Sequence, residues 1–176
     1  MSLKTIRSET IFRGKVFDLR QDEIRTPDGR TLALDIIDHG GAVTMLPVDD
    51  QGQIWFIRQY RHAAGKVLLE LPAGSMETGE EPKASAHREI REEIGMGAKE
   101  LKELGGFYLA PGYSTEFLHI YLARGLYIAP LEQDEDEMIE IEKVSIAEAY
   151  ELAERGQIQD AKTLAALLLA KPYLIA

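Results

Sequence analysis

The chain has 176 residues, with 20 Lys+Arg against 30 Asp+Glu and a formal net charge of −10 at pH 7. That length allows one domain with a core and room for a small appendage, and 45% hydrophobic with 28% charged residues excludes wholesale disorder. The acidic balance argues against a nucleic-acid partner and against anionic membranes, and the longest apolar run, Leu164–Ala170, is far short of the roughly 20 residues that a bilayer span needs.

In chain order, the first forty residues predict strands at Val16–Arg20 and Leu32–Ile37, joined by the turn sequence Thr26-Pro27-Asp28-Gly29-Arg30. Such a pair is too small to be stable alone. Gly40-Gly41 punctuates. Ala42–Val48 and Ile54–Gln59 then predict a hairpin around Asp49–Gln53, and Val67–Leu71 a short strand that ends at Pro72. Pro82–Ile94 predicts a helix, with proline in its first turn and Gly95 just past its end. Phe107–Ala110 and Phe117–Ala123 predict strands around the loop Pro111–Glu116. An acidic stretch, Glu132–Glu137, precedes a strand at Met138–Val144, and helices near Ile146–Arg155 and Asp160–Lys171 close the chain. In the last helix Leu164, Leu167, Leu168 and Leu169 read as core. This mixed order predicts an α+β or α/β sandwich class.

The absence of cysteine excludes disulfides, thiolate nucleophiles and Cys-ligated metal, and suits a cytoplasmic protein. The start, Met1-Ser2-Leu3-Lys4-Thr5, carries no signal-peptide core. His39, His62, His87 and His119 show no metal-ligand spacing and read as structural or solvent-facing. Chemistry must rest on carboxylates, arginines and hydroxyls, with or without a hard metal ion.

On the wheel of the Pro82–Ile94 helix, Ala86, Ile90 and Ile94 make a narrow apolar stripe, while Glu89, Glu92 and Glu93 cluster on another face. Like charges at this spacing repel by a few tenths of a kcal/mol. A divalent cation removes the conflict, and Mg²⁺ suits one or two carboxylates, backbone oxygens and a substrate phosphate.

The spacing of Gly74, Glu80, Arg88-Glu89, Ile90, Glu92-Glu93, Gly95 and Met96 resembles the Nudix box at all nine fixed positions over 23 residues. Glu70-Leu71-Pro72-Ala73-Gly74 and Pro111, 16 residues beyond Gly95, resemble the ADP-ribose pyrophosphatase branch of that family; Ala110 stands where the branch carries serine. The resemblance implies a mixed sheet between helices, an α/β/α sandwich spanning residues 42–176, preceded by a small antiparallel sheet in residues 1–41 that exchanges across a homodimer. A bottom-up argument agrees, because an isolated strand pair exposes edges that an isologous dimer covers.

By the same resemblance Glu89 and Glu93 are metal ligands, with Glu92 as a third and the Ala73 carbonyl as the main-chain ligand. Arg88 orients the glutamates, and Glu80 ties the loop to the helix. The general base is Glu135 on the acidic stretch, with Glu137 as the alternate. Arg58 and Arg61 suit phosphate oxygens, Glu116 ribose hydroxyls, and Phe17 a stack on the base. The implied activity is Mg²⁺-dependent hydrolysis of the diphosphate of ADP-ribose or a related nucleoside diphosphate sugar, with Mn²⁺ as the alternative metal. GDP-mannose hydrolysis and a non-catalytic ADP-ribose sensor are the competing readings.

Overall fold

The computed structural model describes residues 3–133 and 138–175. The chain divides into two compact units. One comprises the chain up to Gly41 together with Phe107–Phe117; the other comprises Ala42–Gly106 and the chain from Leu118 onward.

The first unit is built on a three-stranded antiparallel sheet in the order β1 (Lys4–Arg13), β2 (Asp18–Arg25) and β3 (Thr31–Asp38). The predicted turn between β2 and β3 forms, closed by Thr26 N donating to the Arg30 carbonyl at 2.9 Å. Strand β2 begins later than Val16, because Gly14 to Phe17 makes the preceding turn, and it runs on to Arg25. Strand β1 was not foreseen. Every residue in it is exposed, so it carries no burial-driven alternation and its order comes from pairing with β2. The loop before Phe117 joins this unit through Ile37 N to the Tyr113 carbonyl (2.7 Å) and Thr115 N to the Ile37 carbonyl (3.0 Å).

The second unit holds two sheets. A four-stranded mixed sheet runs β7 (Ala73–Ser75), β4 (Ala42–Pro47), β9 (Phe117–Ile128), β8 (Met96–Tyr108), with β4 antiparallel to β7 and parallel to β9. An antiparallel sheet runs β10 (Ile139–Ser145), β5 (Gln53–Arg61), β6 (Lys66–Glu70). The helices are α1 (Pro82–Ile94), α2 (Ile146–Glu154) and α3 (Ala161–Leu174). The class is α+β, as the sequence predicts.

All six residues of β4 are buried, as expected of a strand covered on both faces. Val43 and Met45 pack with Ala86, Ile90 and Ile94 of α1, so the predicted apolar stripe is the inward one. Helix α3 also packs on β4. Its inward stripe is Thr163, Ala166, Leu167 and Ala170, at i, i+3, i+4 and i+7. The expectation of a leucine core is therefore corrected. Leu167 is buried, whereas Leu164, Leu168 and Leu169 are 39%, 71% and 36% exposed, because one stripe holds only a few of the helix's positions and small residues let α3 close on the sheet.

Asp160 caps α3, its Oδ2 accepting from Thr163 N at 3.0 Å and Thr163 Oγ1 at 2.6 Å. Thr163 Oγ1 in turn accepts from Leu71 N at 2.8 Å. The buried threonine thus pins the segment that leads into β7. Thr163→Val keeps the shape and orphans the Leu71 amide, which costs about 1–3 kcal/mol. Urea unfolding should show that loss, and a midpoint equal to wild type would contradict the pin.

Candidate active site

Helix α1 starts at Pro82, with Glu81 in extended conformation before it, and stops at Gly95, whose φ of 68° only glycine adopts cheaply. These limits coincide with the predicted helix and set which glutamates share its polar face. Glu89 and Glu93 are 8% and 4% exposed, and Glu92 is half-buried beside them.

Arg88 holds this face together. Its Nη1 donates to Glu89 Oε1 at 2.7 Å and to Glu92 Oε2 at 2.8 Å. On the other edge Nε and Nη2 fork onto Glu80 at 3.1 and 2.9 Å, and Nη2 also reaches the Ser75 carbonyl at 3.2 Å. A planar guanidinium with five donors can serve three carboxylates at once, which a lysine cannot. Arg88 is held in its charged form first by the Glu80 hydrogen bonds, then, against the cost of burial, by Glu89 and Glu92. Glu80 is held below its usual range first by Arg88, and Glu77 N donates to it at 3.0 Å.

The loop side is equally close. Ala73 N donates to Glu93 Oε2 at 2.7 Å. A Cβ on Gly74 would collide with the Glu89 carboxylate, which lies in the space that only glycine leaves. Met45 N and Thr44 Oγ1 both donate to the Pro72 carbonyl, at 2.9 and 3.0 Å. The Ala73 backbone is thereby fixed between β4 and α1.

Arg61 forks onto Glu70, at 2.9 and 2.8 Å, and Glu70 also pairs with Lys162. Glu70 is 1% exposed; burial pushes its carboxyl up, but Arg61 and then Lys162 hold it below the ordinary value. Arg58 forks onto Glu142 of β10. Phe17 and Glu116 belong to the first unit; Phe17 is 42% exposed and Glu116 is partly buried. Glu135 and Glu137 lie outside the described residues. The sequence reading did not single out Glu70 with Lys162 as neighbours of the site. The available signal was a lone glutamate in the apolar stretch Val67–Leu71, which burial obliges to find a cation.

Among the described residues no three acidic or histidine side chains are already closed into a cation cage. Arg88 draws Glu89 and Glu92 to one side, and the Ala73 amide holds Glu93. The donor set nevertheless suits a hard divalent ion. It consists of carboxylate oxygens on one helical face, with the Ala73 backbone alongside and glycine where a side chain would intrude.

The profile of the NUDIX domain matches residues 38–167. The chain belongs to the NUDIX domain family. It is a Nudix hydrolase, of a family that works with a divalent metal. A second profile, the nucleoside diphosphate sugar hydrolase N-terminal domain, matches residues 3–33. The chain is 40% identical to an ADP-ribose pyrophosphatase of Bacillus subtilis (strain 168) over 166 residues, covering 93% of this chain and 90% of that protein. It is 36% identical to a methanol dehydrogenase activator of Bacillus methanolicus over 168 residues, with 93% and 90% covered. The fold matches the crystal structure of an ADP compounds hydrolase with a TM-score of 0.86 and 26% identity, covering 99% of this chain and 95% of that one. Among the described residues no helix is long and apolar enough to cross a membrane.

The Glu80–Arg88 tie has a pH signature. A carboxyl whose folded pKa lies below its ordinary 4.5 stabilises the fold fully above that value, and the contribution is lost as pH falls through the lowered folded value. Glu80→Gln should therefore be less stable than wild type at pH 7, and the gap should close on acidification below about pH 4.5. A gap independent of pH in thermal melts would show that charge is not what the tie contributes.

Proposed function

We propose that the chain hydrolyses the diphosphate linkage of ADP-ribose or a related nucleoside diphosphate sugar, giving AMP and a sugar phosphate. The observation that carries this reading is the buried pair Glu89 and Glu93, with Glu92 beside them and the Ala73 backbone held against the same face. The names of the relatives support the substrate class, and the N-terminal profile supports the sugar moiety.

In this reading Glu89, Glu92, Glu93 and the Ala73 carbonyl hold Mg²⁺, with Mn²⁺ as an alternative of the same oxygen preference. When bound, the cation supplies positive charge against the diphosphate and makes water a better nucleophile. The chain's own residues do the positioning. Arg88 keeps the glutamates gathered on one face of α1, so that only short side-chain movements separate them from a shared cation. Glu135, with Glu137 as alternate, takes the proton from the attacking water. Arg61 and Arg58 meet phosphate oxygens, which requires them to exchange Glu70 and Glu142 for substrate. Glu116 binds ribose hydroxyls, and Phe17, in the sheet of residues 1–41 that exchanges across a homodimer, stacks on the base. The cytoplasm, where a cysteine-free chain meets its nucleotide sugars, is the proposed place of work.

A second reading follows from the similarity to a methanol dehydrogenase activator, namely that the chain activates a partner dehydrogenase. Dehydrogenase activity measured with and without the chain tests the second reading, and turnover of free nucleotide sugar tests the first. With Mg²⁺ and a panel of nucleotide sugars and dinucleotides, ADP-ribose should yield AMP and ribose 5-phosphate by mass. Turnover confined to GDP-mannose would reassign the substrate, and tight binding without turnover would favour a sensor.

Two substitutions test the roles. Glu93→Gln should lower kcat by about 100-fold, through loss of a charged ligand to the cation, with an unchanged melting temperature, and near wild-type rates would remove Glu93 from the ligand set. Glu135→Gln should slow turnover at saturating metal. If Glu137→Gln alone does so, the base is Glu137.

A further inference from the structure

Side chains alternate along a strand, so Trp55, Ile57, Gln59 and Arg61 share one face of β5. Trp55 and Ile57 pack into the cluster around Ile90 and Ile94 of α1. At the other end Arg61 forks onto Glu70 and feels the charge of Glu93. Gln59 stands between the apolar end of this row and its charged end.

Gln59 is 6% exposed, and among the described residues its buried Oε1 meets no hydrogen-bond partner. Its directly opposed cross-strand neighbours, Leu68 and Ile139, offer no side-chain donor. Gln59 is in backbone register with β10 on one side and β6 on the other, opposite Ile139 and Leu68. A buried acceptor that nothing meets destabilises a fold, and an apolar side chain of the same length would pack there at lower cost. Buried polar atoms are otherwise satisfied almost everywhere, so an orphan two residues from Arg61 calls for a partner that comes and goes.

We infer that Gln59 is a further substrate-binding residue of this site, its Oε1 accepting a hydrogen bond from an O–H group that arrives with the substrate. That group is either a ribose hydroxyl or a water ordered beside the bound nucleotide. The inference rests on the reading of the glutamate helix as a site for nucleoside diphosphate sugars. It concerns a residue outside the Nudix spacing, on a different strand, whose cost to the empty protein is its mark.

The test uses Gln59→Met, which keeps length and removes the acceptor, with Gln59→Leu as a second variant. Melting temperature is measured without ligand, ADP-ribose binding by calorimetry, and turnover with Mg²⁺ and ADP-ribose. The expected result is a melting temperature equal to or above wild type, with kcat/KM lower by about ten-fold, the worth of one hydrogen bond of this kind. Deoxy analogues of ADP-ribose, each lacking one ribose hydroxyl, identify the donor. If wild type discriminates against one analogue and Gln59→Met does not, the donor is that hydroxyl. If both discriminate equally while the variant remains slower, the donor is water. Variants that bind and turn over within two-fold of wild type overturn the inference alone. So does a lower melting temperature in both variants, which would mean the amide serves the fold. A wild type that neither binds nor cleaves any nucleotide sugar overturns this inference together with the functional reading beneath it.

Discussion

Arg88 spreads one guanidinium over Glu80, Glu89 and Glu92, and the rest of the site is arranged around that contact. Without it, glutamates one turn apart on α1 would repel one another, and the face would open toward solvent. With it, the loop before α1, the helix itself and the Ser75 carbonyl are tied to a single group. The pairing is partly buried, so it is far less screened than a surface ion pair. The glutamates are thus gathered on one face of α1 before any ligand arrives, which shortens the rearrangement that binding requires.

A second set of contacts fixes the backbone that faces the helix. Leu71 N goes to Thr163, the Pro72 carbonyl to Met45 N and Thr44, and Ala73 N to Glu93. Three elements distant in sequence, β4, α1 and α3, therefore agree on the position of one short strand. Gly74 lets Glu89 lie against that strand where any side chain would clash.

Much of this was legible in the sequence. The limits of α1 and its apolar stripe follow from Pro82, Gly95 and the spacing of Ala86, Ile90 and Ile94. What was not legible depends on tertiary pairing. β1 is wholly exposed and has no core-facing period. β7 has three residues, too few to show any period, and forms by pairing with β4. Residues Met96–Gly106 of β8 read Ala-Lys-Glu-Leu-Lys-Glu-Leu through their middle, residues that favour helix; pairing with β9 overrides that preference. The leucines of α3 misled because hydrophobicity names candidates for burial, whereas the helical period chooses among them. At the site, the spacing of the glutamates is a sequence property, but the partners of Arg61 and Arg58 are not, since Glu70 and Glu142 reach them only through the β6–β5–β10 sheet.

The double pairing of Glu70 has one more consequence. Its carboxylate answers to Arg61 on one side and Lys162 on the other, and Lys162 also reaches Asp160 at the start of α3. The anion therefore keeps a counter-ion when either cation turns elsewhere. Arg61 is the more exposed of the two, at 39% against 12%. The guanidinium can leave its berth for an incoming anion while the ammonium stays behind as guard, so conformational freedom at one arginine does not have to come at the expense of the scaffold that bears it.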